Sequence, residues 1–189
     1  MRILELGAAG GLCFLLALAS GVLTAQTSTA DDHLDNGAKK MMKSSDATFA
    51  LKAAQGGMAE VKLGQLALDK ASSPDVKSFA QRMVDDHSKA NDQLKAAAAK
   101  GRMTLPTTMN AKDQSLYNKL NDLSGPAFDK AYMKAMVKDH EEDIKEFQKE
   151  ASKGLNPDIK NFASTTLPTL QEHLQMAKSA DQKVSASGS

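Results

Sequence analysis

From Asp46 onward, apolar residues recur at helical spacing, and four long stretches carry the pattern. The first spans 46–71, with Phe49, Ala53, Leu63, Gly64 and Ala67 on one face. Ser73-Pro74-Asp75 opens the second with a capping Ser, a Pro at the first helical position and an acid in the first turn. That stretch spans 74–100, and Gly101 stops it. A loop with Pro106 follows, and a short helix is predicted over 111–122. Ser124-Gly125-Pro126 starts the third long helix, which ends before Gly154. Asn156-Pro157-Asp158 opens the fourth, which reaches about 182 and carries Pro168 inside it. The periodicity excludes a transmembrane β-barrel and predicts an all-α fold: a four-helix bundle over 46–182.

A weak repeat organises these helices. Ser73-Pro74-Asp75-Val76-Lys77-Ser78-Phe79-Ala80 reads against Asn156-Pro157-Asp158-Ile159-Lys160-Asn161-Phe162-Ala163. A second echo sets Met83-Val84-Asp85-Asp86-His87 against Met136-Val137-Lys138-Asp139-His140. The bundle therefore reads as two helical hairpins joined by a long middle connection, as in bundles with a crossover.

The ends of the chain differ from this pattern. Residues 1–25 read as a secretory signal: Arg2, then an uncharged run from Leu6 to Leu23, then small residues. Leu23-Thr24-Ala25 and Ser28-Thr29-Ala30 are rival cleavage sites, and an uncleaved anchor is the alternative reading. Cys13, the one cysteine, lies in the apolar run and leaves with it on cleavage. Residues 26–45 are polar and read as a flexible arm, and 183–189 as a disordered tail. Such a signal predicts a periplasmic or otherwise exported protein.

Composition adds exclusions. The 189 residues include no Trp and only 4% aromatics, and the net charge is +1. Near-neutrality argues against nucleic acid as a partner. One Cys excludes an intrachain disulfide framework and a multi-Cys metal cluster. No dinucleotide fingerprint, P-loop or Ser-His-Asp order is present. Met83, Met133, Met136 and Met176 fall on apolar faces, where Met ordinarily fills a core.

The histidines carry the chemistry. His33 lies in the arm, but His87, His140 and His173 each sit in the apolar face of a different helix. Helix 1 has no His, and Glu60 is the charged exception in its apolar arc. At a rise of about 1.5 Å per residue the four lie about 18 to 24 Å from their hairpin turns, near the middle of helices about 39 Å long. Three imidazoles and a carboxylate at one height suit one transition-metal ion: Zn, Mn, Fe or Cu. Asp143 and Asn91 are placed to support them from a second layer. Asp86 and Asp139 point about 100° from the neighbouring His and read as edge or surface groups. The competing reading is a metal-free polar network that sets helix register.

Glu60-Val61-Lys62-Leu63-Gly64, Val76-Lys77-Ser78-Phe79-Ala80, Met83-Val84-Asp85-Asp86-His87 and Leu167-Pro168-Thr169-Leu170-Gln171-Glu172-His173-Leu174 resemble the bacterial domain-of-unknown-function 4142 family. The resemblance covers about residues 45–182. It implies an exported, ferritin-like bundle, often labelled an outer-membrane protein and so expected in the periplasm or peripheral to the outer membrane, with no established activity. Iron-carboxylate ferritins need Glu three residues before His on two helices, and here those positions are Val84 and Leu170. A single ion held by His and Glu fits the sequence better. Two functions follow as expectations: metal handling or oxidative-stress protection, or a non-enzymatic structural or interaction protein of the envelope with an unidentified partner. Oligomeric state is not legible.

Overall fold

Helix punctuation and apolar spacing produce five helices in the computed structural model, which describes the backbone of residues 30–186 and side chains from residue 45 to residue 186. They are α1 (Ala30–Lys70), α2 (Pro74–Lys100), α3 (Ala111–Asn121), α4 (Gly125–Lys153) and α5 (Pro157–Ala186). Pro74 and Pro126 occupy the first helical turns predicted for them. Gly101 and Gly154 close α2 and α4. Asn110 caps α3 by accepting from the Asp113 backbone N–H at 2.9 Å. α5 runs through Pro168 as one helix. Among the described residues no helix is long and apolar enough to cross a membrane.

Two boundaries change. α1 starts at Ala30, so positions 30–45, read as part of a flexible arm, are helical. Polarity alone does not oppose a helix, and Ala38 to Lys43 are all good helix formers apart from packing. α5 continues to Ala186, so 183–186 are not a disordered tail; Val184 is buried in the core and anchors this last turn. The signal reading of residues 1–25, both cleavage sites up to residue 29, and residues 187–189 lie outside the described residues.

The direction of each helix follows from who holds each turn. Asp129, at the start of α4, accepts hydrogen bonds from the Ser72 N–H (3.1 Å), the Ser72 hydroxyl (2.6 Å) and the Ser73 N–H (2.9 Å) in the α1–α2 turn. Asp46 of α1 accepts from the Leu155 and Asn156 N–H groups in the α4–α5 turn. The start of α4 is therefore level with the end of α1, and α3 with its flanking loops carries the chain back along the bundle. The long middle connection is a crossover, as in ferritin-like bundles. α2 packs on α5 and α1 on α4, while α3 lies against α1 and α4.

Two apolar clusters fill the interior. One, at the α1–α2 turn, includes Leu63, Phe79, Phe128, Tyr132, Met133 and Met136. The other, at the α4–α5 turn, includes Phe49, Leu94, Phe147, Ile159, Phe162 and Leu170. Burying one such side chain stabilises the fold by roughly 1.5–3 kcal/mol. Met83, Met133 and Met136 are core residues as expected, whereas Met176 is 36% exposed. Between the clusters lies a polar layer.

Candidate metal centre

Each helix of the bundle contributes to that layer. Glu60, His87, His140 and His173 come from α1, α2, α4 and α5, and all four are buried. The ring centroids of His87 and His140 are 5.9 Å apart, of His87 and His173 5.2 Å, and of His140 and His173 5.4 Å. Each ring offers a nitrogen within 4.8 Å of the other two, so the trio could hold a metal ion. Glu60 Oε2 lies 2.8 Å from His87 Nδ1, and Glu60 Oε1 lies 3.6 Å from His140 Nε2. The Phe79 ring packs edge-on against both His140 and His173 and keeps that side apolar.

The outer nitrogens of two rings are engaged, and this sets their tautomers. His140 Nδ1 lies 2.9 Å from the Met136 carbonyl oxygen, which can only accept. His173 Nε2 lies 2.9 Å from Asp86 Oδ2. Asp86 is also bonded by the Arg82 guanidinium. Burial opposes its ionisation, but the Arg82 and His173 hydrogen bonds and charges outweigh that and hold its pKa below the ordinary value. In the neutral rings, then, the protons sit on His140 Nδ1 and His173 Nε2. The bare nitrogens, His140 Nε2 and His173 Nδ1, face each other at 3.4 Å.

Neutral rings are what the environment favours. Burial lowers the pKa of His87 to about 4. It also lowers His140, with help from the other two rings, to about 3. His173 is lowered as well, chiefly by burial, with the Asp86 hydrogen bond opposing. For Glu60, burial, then the Asp139 and Asp113 charges, raise the pKa well above the usual carboxylate value.

Other residues arrive that the sequence reading had set aside. Asp86, read as an edge group, orients His173. Asp139, read the same way, offers an oxygen within 4.8 Å of oxygens of Glu60 and Asp143. Its pKa is raised to about 6, by burial and then by Asp113. Asp143, expected to support His140, joins this group of acids, and burial followed by the Glu60 charge raises its pKa well above normal. Asp113, on α3, adds to the same field. The repeated Asp-His pairs, Asp86-His87 and Asp139-His140, were the available signal. Asn91, expected beside His87, lies against Gly57, where a Cβ would overlap its Oδ1. Gly64 makes a similar close approach to Ala80 and Val84 of α2, whereas Gly56 has open space. Gly56 lines a cavity of about 240 Å³ that reaches Asp139 and Asp143.

Comparison with known proteins supports the fold. The chain is similar to a DUF305 fragment from Deinococcus radiodurans, with a TM-score of 0.65, 11% identity, and coverage of 74% of this chain and 96% of that one. It is also similar to a DUF305 protein of Streptomyces coelicolor, described as a candidate secreted protein, with a TM-score of 0.64, 13% identity, and coverage of 75% and 92%. At such identities the likeness speaks for the bundle alone. No curated protein matches the sequence. The profile of the family described as Domain of unknown function (DUF4142) matches residues 32–180, and the chain belongs to that family.

Proposed function

We propose that Glu60, His87, His140 and His173 bind one transition-metal ion in the bundle core of an exported protein, and that the protein serves in metal handling or oxidative-stress protection. One observation carries the reading: His140 Nε2 faces His173 Nδ1 at 3.4 Å while the opposite nitrogen of each ring is tied to an acceptor. Two neutral rings so tied present lone pair to lone pair, an arrangement that a cation stabilises and a hydrogen bond does not. His87 Nε2 and Glu60 Oε1 are likewise buried without a hydrogen-bond partner. Buried polar atoms ordinarily find partners, so unpaired ones call for a cause. The Asp86–His173 bond is the carboxylate–histidine pairing that raises the basicity of a ligand. Imidazole and carboxylate together suit Zn, Mn, Fe or Cu. Export rests on the N-terminal signal pattern and on the description of the Streptomyces coelicolor relative.

A second reading has its own support. Glu60 with His87, and Asp86 with His173, pair polar groups without any ion. On that reading the layer sets helix register in an envelope structural or interaction protein. Elemental analysis of protein purified from the periplasm, beside a His87→Ala/His140→Ala variant, separates the two. Metal in the wild type and its loss in the variant are expected. The metal reading falls if neither carries metal and added Zn, Mn, Fe or Cu leaves the wild-type Tm unchanged.

A further inference from the structure

We propose that Glu60, Asp139 and Asp143 form a second cation site, outside the histidine cluster, that takes a hard divalent ion such as Mn²⁺ or Mg²⁺. The three carboxylates each bring an oxygen within 4.8 Å of the other two. Glu60 belongs to both groups, because its other contacts are His87 and His140. Its Oε1 is sealed in the core with no hydrogen-bond partner. Among the described residues, no lysine or arginine forms an ion pair with Asp139 or Asp143. Lys112 and Lys52, which line the adjoining cavity, are paired with Glu142 at 3.3 Å and with Glu146 at 3.4 Å. Three carboxylates this close, with little counter-charge, repel one another unless protonated or bridged by a cation.

Donor chemistry and access separate this site from its neighbour. Oxygen-only donors suit Mg²⁺, Mn²⁺ or Ca²⁺, whereas the imidazole trio suits later transition metals. The cavity of about 240 Å³ beside Gly56 is lined by Asp113, Asp139 and Asp143, with Lys52 and Lys112 at its rim, but by neither Glu60 nor any of the histidines, so Glu60 closes the site from the core side. It has room for the waters that Mg²⁺ or Mn²⁺ keeps. Glycine at position 56 leaves that space open, since nothing lies within 4 Å of where a Cβ would stand. The carboxylate site is thus the outer of two, and the inner one shares Glu60 with it.

The inference goes beyond the histidine site and does not depend on it. Purified wild type, an Asp139→Asn/Asp143→Asn variant, a milder Asp143→Asn variant and a His140→Gln/His173→Gln variant are titrated with Mn²⁺, following the EPR signal of the free ion. Wild type and the histidine variant should take up Mn²⁺, the single Asp variant should bind it about tenfold more weakly or worse, and the double Asp variant should not bind it. Circular dichroism checks that each variant is folded, and the single variant decides if the double one is not. The proposal is overturned if wild type takes up no Mn²⁺, if the Asp variants bind as wild type does, or if the histidine variant loses the ion. Zn²⁺ titration of the same proteins reports separately on the histidine site.

Discussion

In the first hairpin, Asp129 reaches from α4 to hold the Ser72-Ser73 turn; in the second, Asp46 reaches from α1 to hold Leu155 and Asn156. The sequence distance from Asp46 to Asp129 equals that from Ser73 to Asn156, so the two clamps occupy the same place in the repeat. At mid-height the same spacing pairs Glu60 with Asp143, and both are buried acids of the polar layer. There the likeness ends. His87 is matched by Leu170, His140 by Gly57, His173 by Ala90 and Asp139 by Gly56. Both hairpins must turn the chain and pair its backbone donors, so the turns are alike. The centre of the bundle is a single space, and three of these four partners are small (Gly57, Ala90 and Gly56), while Leu170 adds apolar bulk in place of a fourth ring. The repeat thus keeps its ends and differentiates its middle.

The clamps give the largest test of this comparison. Asp129→Ala removes one buried carboxylate that accepts three hydrogen bonds, and should cost about 3 kcal/mol in chemical denaturation. Asp46→Ala should cost less, about 2 kcal/mol, because Asp46 stands beside Glu150, whose ionisation it opposes through its charge and a hydrogen bond to the protonated form. Equal costs would mean that the two turns respond alike despite that acid.

Next come the layers where the hairpins differ. Asp86→Asn keeps the shape beside His173 but removes the charge. It should weaken metal binding about tenfold to a hundredfold by competition with a chelator, with little change in the stability of the metal-free protein. Gly57→Ala sets a methyl group on Asn91 and should destabilise by about 1–3 kcal/mol in thermal unfolding. The neighbouring Gly56→Ala meets no atom and removes a mid-helix glycine, so it should stabilise by about 0.5–1 kcal/mol. The same side chain on adjacent residues then has opposite signs.

The last effect is the pH dependence of the metal-free protein, which is spread over several groups rather than set by one residue. Burial, then Asp46, raises Glu150 to about 7, and Glu60 and Asp143 lie well above their ordinary values. An acid raised in the folded state contributes stability below its unfolded pKa, and that stability is lost as pH rises through the folded pKa. The histidines act oppositely: their lowered pKa values remove stability as pH falls from about 6.5 toward 4. Between about pH 6.5 and 8 the acids therefore dominate, and unfolding free energy should fall by about 1–2 kcal/mol. A bound divalent ion should flatten that decline. A rise in stability over the same window would contradict the buried acids.

How far the sequence reached depends on the length scale of each cause. Pro74, Pro126, Gly101 and Gly154 act within one helical turn, and they mark helix ends where expected. The missed ends have a different cause: the last turn of α5 is kept by burial of Val184, a contact between distant parts of the chain. At the site, helical phase placed Glu60, His87, His140 and His173 inward, and all four are buried. Phase also set Asp86 and Asp139 on the flank, and both are half-buried. It could not tell which neighbour packs on that flank. α5 lies against the flank of α2, so Asp86 reaches His173; α1 and α3 lie beside α4, so Asp139 meets Glu60 and Asp113.

The sequence by itself determined the helices, their hairpin pairing and which face of each carries the polar exception, because periodicity, capping and proline act locally along one chain. The tertiary structure alone decided the course of the crossover, the tautomers of His140 and His173, and the gathering of Glu60 with Asp139 and Asp143. Those depend on atoms from different helices meeting at a few ångströms. At that range hydrogen bonding and desolvation, rather than position in a repeat, assign each group its role.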